Sequence, residues 1–216
     1  MLFEELKDGD MSTAKVFKNL ISLNDINSIV DFFQLQDEQN TEKGIINKNL
    51  EYHIPDSFIF KILKPYMDMV VGPDHEFSTG AYKSSKKPYI IHVDSRTQHA
   101  AYPDCMLFDQ GLIKLNKAVL IPLVEGPEFR TVAFEAWSDH NPTTQDIRLH
   151  RTEKNHLLLE DFDHDKNFDD INFLKVAIDY HWQLGDIFTW DRNQWHISNN
   201  FYKSGKVKTF LILFMA

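Results

Sequence analysis

The chain has 216 residues, with 23 Lys and Arg against 32 Asp and Glu, for a formal net charge of −9. That length suits one domain whose core closes without disulfides or a structural metal, and an aromatic share of 13% beside a charged share of 25% excludes a disordered chain. The acidic balance argues against a general nucleic-acid binder, which needs clustered Lys and Arg, and the lone Cys105 provides neither an internal disulfide nor a cysteine zinc site.

In chain order, residues 1–10 are acidic and lack the apolar core of a signal peptide. No run of 18 apolar residues follows, so nothing is expected to span a membrane. With the cysteine usage this points to the cytoplasm. Residues 22–35 read as a helix: Ile26, Ile29, Val30 and Phe33 share a face, and Ser22 with Asp25 resembles a capping box. Residues 37–49 are polar and read as loop. Residues 55–71 read as a second helix that starts at Pro55 and is kinked or split at Pro65.

From residue 77 the pattern changes to short β-prone runs separated by turn residues. They cover residues 77–82, 88–93, 118–123, 130–137, 178–182, 187–190 and 207–215. Such spacing indicates an all-β sandwich or barrel. Residues 143–170 are polar and poorly periodic, and read as a long insertion. Within them the acidic stretch 160–165 reads as a solvated loop, since it lacks the glycine and closing glutamate of a calcium loop.

The chemistry-bearing pattern is His92-Val93-Asp94 with a distant His196. On a strand, positions i and i+2 point to one side, so His92 and Asp94 project together while Val93 packs the other way. Two imidazoles and a carboxylate can cap one face of Fe(II) and leave the other open. A surface strand is the competing reading for His92 and Asp94, and a core histidine for His196.

The surroundings of the pattern weigh against those plainer readings. In order come Tyr89-Ile90-Ile91-His92-Val93-Asp94, the apolar run 118–123, Leu184-Gly185-Asp186 leading to Trp195-His196, and the terminal strand opened by Lys206-Val207-Lys208. This order resembles the 2-oxoglutarate- and Fe(II)-dependent oxygenases, in the broad sense that includes phytanoyl-CoA dioxygenase-like and prolyl-hydroxylase-like members. The resemblance spans residues 77–216. It implies a mainly β, double-stranded β-helix (jelly-roll, cupin-like) fold. It also implies a single domain over 1–216, with a helical flank over 1–76, a core over 77–216 and an insertion at about 143–170.

Carried over, His92, Asp94 and His196 match the iron ligands. Lys208 matches the anchor for the distal carboxylate of 2-oxoglutarate, with Lys206 in reserve. Tyr82, Tyr89 and Thr209 are candidates for further hydrogen bonds to that carboxylate. Many family members place Arg at the anchor, where a Lys gives a point charge instead of a fork. The implied activity is that of a dioxygenase using Fe(II), 2-oxoglutarate and O2 to hydroxylate a small molecule or amino-acid side chain. Neither a nucleic-acid nor a membrane partner is expected, and nothing in the chain specifies or forbids a homo-oligomer. Two alternatives share the barrel: a cupin-type metal enzyme without 2-oxoglutarate, and a non-catalytic jelly-roll binding or structural protein.

Overall fold

The computed structural model describes residues 14–35, 40–41, 45–94, 117–138 and 140–215. Among these residues, ten strands form two antiparallel sheets. The larger has the order β1 (Lys15–Phe17), β8 (Ile187–Asp191), β5 (Lys117–Pro122), β10 (Lys208–Met215), β4 (Phe77–Ser85), β3 (Ile45–Asn49) and β2 (Asn40–Thr41). The smaller has the order β7 (Val176–His181), β6 (Arg130–Trp137) and β9 (Gln194–Ser198). Side chains from both sheets share one core, including Phe129, Tyr180 and Trp182 beside Phe188, Phe210 and Phe214. Two antiparallel sheets closed over a common core make a jelly roll.

The strand β10 shows how the layers are set. Phe210, Ile212 and Phe214 point into the inter-sheet core, while Leu211, Leu213 and Met215 point the opposite way. That second face is covered by helices α1 (Leu23–Gln34) and α2 (Phe58–Val70), through Ile29, Phe33, Leu63 and Met67. Ser22 and Ser57 cap the two helices, each accepting a backbone N–H three residues on. The second helix therefore starts after Ser57 and not at Pro55. Nor does Pro65 split it: Pro65 and Lys61 are both exposed, so the carbonyl that loses its amide partner lies on the solvent side.

Residues 45–49, expected as loop, form β3, which pairs with β4. The 143–170 insertion also differs from expectation. It folds into helix α3 (Thr144–Leu149), capped reciprocally by Thr143 and Asp146, then a 3-10 turn (Leu159–Asp161) and helix α4 (Phe168–Ile171). Ile147, Leu157, Phe162 and Ile171 form a third core with Val132, Phe134, Trp195 and Ile197, on the outer face of the small sheet. Four apolar side chains widely spaced among polar ones do not make a periodic pattern, which is why the segment reads as loop. Asp165, in the stretch expected to be solvated, is only 2% exposed.

The Gly185-Asp186 turn ties the N-terminal strand to the barrel. Gly185 takes φ +87°, a conformation that favours glycine. Asp186, fully buried, accepts from Lys18 Nζ at 2.8 Å, Asn19 N at 2.9 Å and Tyr180 Oη at 3.3 Å. Removing one partner of buried hydrogen bonds leaves the others to be desolvated unpaired, at about 1–3 kcal/mol. Asp186→Ala is expected to lose stability of that order in urea unfolding, with an unchanged m-value, and Asp186→Asn to lose less.

Candidate metal and cosubstrate site

The run 88–93, expected as a strand, joins the small sheet through one bridge only. His92 and His196 exchange both backbone hydrogen bonds at 3.0 Å, and Asp94 N donates to Arg192 O at 2.8 Å. On one side of this segment, Ile91 and Val93 enter the third core. On the other, His92 and Asp94 line a cavity between the sheets with His196. One ligand atom from each of the three lies within 4.8 Å of the others, the only such grouping among the described residues. His196 Nε2 stands 3.5 Å from Asp94 Oδ2, and the two imidazole centroids are 4.2 Å apart.

The ring orientations suit a metal. His92 Nδ1 lies 2.6 Å from Ile90 O and His196 Nδ1 lies 3.0 Å from Gln194 O. A carbonyl only accepts, so each Nδ1 carries a hydrogen, and it is the Nε2 of each ring that is left to face the site. Such backbone anchoring is how metal-bound histidines are commonly oriented. Burial and the adjacent His196 push His92 from 6.5 down to about 4, against the pull of Asp94, which keeps the ring neutral at physiological pH. Burial raises the Asp94 carboxyl, but His196, His92 and Arg192 outweigh it and hold it below 3.8. Trp190 Nε1 donates to Asp94 Oδ2 at 3.0 Å and fixes that carboxylate. Two imidazoles and a carboxylate are the donor set that Fe(II) takes in facial-triad sites.

The same cavity includes Lys208, Thr131, Ser198, Tyr89 and Lys83 and encloses about 460 Å³, its opening to solvent included. Lys208 is 2% exposed. Its ammonium lies 3.3 Å from Thr131 Oγ1, 3.5 Å from Arg130 O and 4.0 Å from the centroid of Trp182. No carboxylate of the described residues pairs with it, and burial alone holds its pKa well below 10.5. A buried cation left to a hydroxyl, a carbonyl and an aromatic face is costly for a fold to keep.

Of the sequence candidates, the structure brings His92, Asp94, His196, Lys208 and Tyr89 to one cavity and leaves three outside its lining. Tyr82 is one residue out of phase with Ala81 and Lys83, and its ring stacks on Phe33 of helix α1 at 4.7 Å. Thr209 is likewise out of phase with Lys208, and its hydroxyl meets Ser84 Oγ at 3.1 Å. Lys206 precedes the strand and is exposed, with Nζ 2.6 Å from Glu128 Oε1. Thr131, Ser198 and Lys83 were not singled out by the sequence. Strand parity places Lys83 opposite Phe210 and on the cavity side, but Thr131 and Ser198 carry no signal of their own.

No protein-family model matches the sequence, and no curated protein matches it. Solved structures do. One is HygX from Streptomyces hygroscopicus with nickel and 2-oxoglutarate bound, at TM-score 0.56 and 11% identity over 96% of this chain and 84% of that one. The fold is that of the 2-oxoglutarate- and Fe(II)-dependent oxygenases. SnoK, a non-haem alpha-ketoglutarate-dependent carbocyclase from nogalamycin biosynthesis, matches at 0.55 and 10% identity, over 95% and 80%. An oxidoreductase of the 2OG-Fe(II) oxygenase family from Burkholderia pseudomallei matches at 0.53 and 11% identity, over 97% and 91%. Among the described residues no helix is long and apolar enough to cross a membrane.

The state of Lys208 yields a signed prediction. Its folded pKa lies below its unfolded value of 10.5, so the unfolded chain binds the extra proton and wild-type stability is reduced at neutral pH. Lys208→Met removes that penalty and is expected to stabilise the ligand-free protein by about 1–4 kcal/mol at pH 7, as replacing buried charges with apolar groups often does. The gap between the two proteins should narrow as pH rises towards 10.5. A lysine with a purely structural role predicts the reverse sign in the same urea titration.

Proposed function

We propose that the protein is an Fe(II)- and 2-oxoglutarate-dependent oxygenase, hydroxylating a small molecule or an amino-acid side chain. The observation that carries this is the pairing, in one cavity, of the His92–Asp94–His196 donor set with the buried Lys208. A metal site alone fits many chemistries. An ammonium without a carboxylate partner in the same cavity selects a metal site that also takes an anionic organic ligand.

His92 Nε2, the Asp94 carboxylate and His196 Nε2 would hold the iron. Lys208 neutralises the distal carboxylate of 2-oxoglutarate, helped by the Thr131 hydroxyl beside it. When bound, the metal and cosubstrate supply oxidative decarboxylation of 2-oxoglutarate by O2, coupled to oxidation of a substrate C–H bond. The chain's own residues set the conditions. Trp190 fixes the Asp94 carboxylate, and Phe210, Ile212 and Phe214 make the cavity wall apolar. Burial and Asp94 push the Tyr89 hydroxyl up to about 12, so it stays a neutral hydrogen-bond donor at the metal end of the cavity.

Thermal unfolding with Mn(II) and 2-oxoglutarate tests the reading without a known substrate. A ligand at about 100 times its Kd stabilises by about 2.7 kcal/mol. The expected result is stabilisation by 2-oxoglutarate only when metal is present, lost in His196→Ala and in Lys208→Met. Metal stabilisation without any 2-oxoglutarate effect would favour a cupin-type enzyme, and no effect of either a non-catalytic jelly roll. With Fe(II) and ascorbate, succinate release on addition of amino acids or metabolites then identifies the substrate.

A further inference from the structure

Among the described residues, the segment 91–94, which carries the candidate ligands His92 and Asp94, has a neighbouring strand on one side only. The amides of His92 and Asp94 point to the β9 side and donate to His196 O and Arg192 O. In an extended chain the intervening amides point the other way, where a further strand would receive them. Here no strand does. Ile91 N donates to Asp165 Oδ2 at 2.7 Å, and Val93 N donates to Asn141 Oδ1 at 3.1 Å. Asp165 is itself pinned, since Oδ1 accepts from Asn167 N at 2.8 Å and Asn167 Nδ2 at 3.2 Å. Asn167 in turn holds Thr144 Oγ1 at 2.7 Å, at the start of helix α3.

We infer that Asp165 and Asn141 are positioning residues for the metal ligands: their side-chain oxygens stand in for a missing strand along residues 91–94 and set where His92 and Asp94 point. The inference rests on the metal reading given above. Neither residue touches the cavity; each acts through a backbone amide adjacent to a ligand. Asp165 makes the shorter contact, at 2.7 Å against 3.1 Å for Asn141. The segment carries its ligands without the ladder that usually stiffens a strand, so its alignment falls to these two acceptors.

The test is Co(II) binding to the full chain, followed by calorimetry and by the visible absorption of the bound ion. Outer-shell partners of metal ligands typically contribute about 10–100-fold in affinity. Asn141 is exposed, so Asn141→Ala is expected to keep the melting temperature of the metal-free protein. It should bind Co(II) about tenfold or more weakly, with an altered absorption band. Asn141→Asp keeps the acceptor and is expected to restore wild-type binding. Asp165→Asn, able to satisfy Ile91 N or Asn167 N but not both through its one carbonyl, is expected to weaken binding at least as much; should it not fold, Asn141→Ala decides. Wild-type affinity and spectrum in a folded Asn141→Ala overturn the inference while leaving the metal reading intact, provided that His196→Ala loses Co(II). Failure of the wild-type protein to bind Co(II) overturns both.

Discussion

Everything chemical in this protein depends on two backbone hydrogen bonds, those that His92 and His196 exchange at 3.0 Å. Residues paired in this way across antiparallel strands sit about 5.5 Å apart at Cα, with side chains on the same face. That single pairing brings the imidazoles together, and Asp94 follows at i+2. Strand β9 can serve as the reference because it is buried along its whole length and held by β6, with Ala133 opposite His196. The neighbours of His196 in sequence, Trp195 and Ile197, are locked into the opposite core. A histidine between two such residues has little freedom to turn away.

The grouping of His92, Asp94 and His196 is legible in the sequence because period-two alternation and chain order are both local or ordinal properties. His92 and Asp94 share a face on any extended backbone, and a barrel brings a distant histidine beside them. The failures share one cause. Strand β10 is apolar on both faces, since one meets the inter-sheet core and the other the helices. Nothing in the run 207–215 says which face is inside, so Thr209 qualifies as a candidate although it is one residue out of phase; on β4 the adjacent Ala81 and Tyr82 are both buried, on opposite faces, and leave the same ambiguity for Tyr82. Lys208 survived the same ambiguity through its place at the strand's first turn inward. The insertion was opaque for a different reason: its order comes from Asp165, Asn167 and a few dispersed apolar side chains, and such side-chain-to-backbone closure leaves no periodic trace.

Stability and function oppose each other at Lys208. The fold tolerates an ammonium among Thr131, Arg130 O and the rings of Trp182 and Phe201, where an apolar side chain would pack at lower cost. Two other buried charges have an ionic partner, Asp186 with Lys18 and Asp179 with Arg130. Among the described residues Lys208 has no carboxylate partner, so its burial stands as a cost to the fold.

The aromatic contact to that lysine has an optical consequence. The Lys208 nitrogen lies 4.0 Å from the centroid of the Trp182 indole, so the charge state of that amine sets part of the field in which the chromophore absorbs. An anion that draws a proton onto the amine and pairs with it would change that field, and the indole's absorption and emission would report it without an added label.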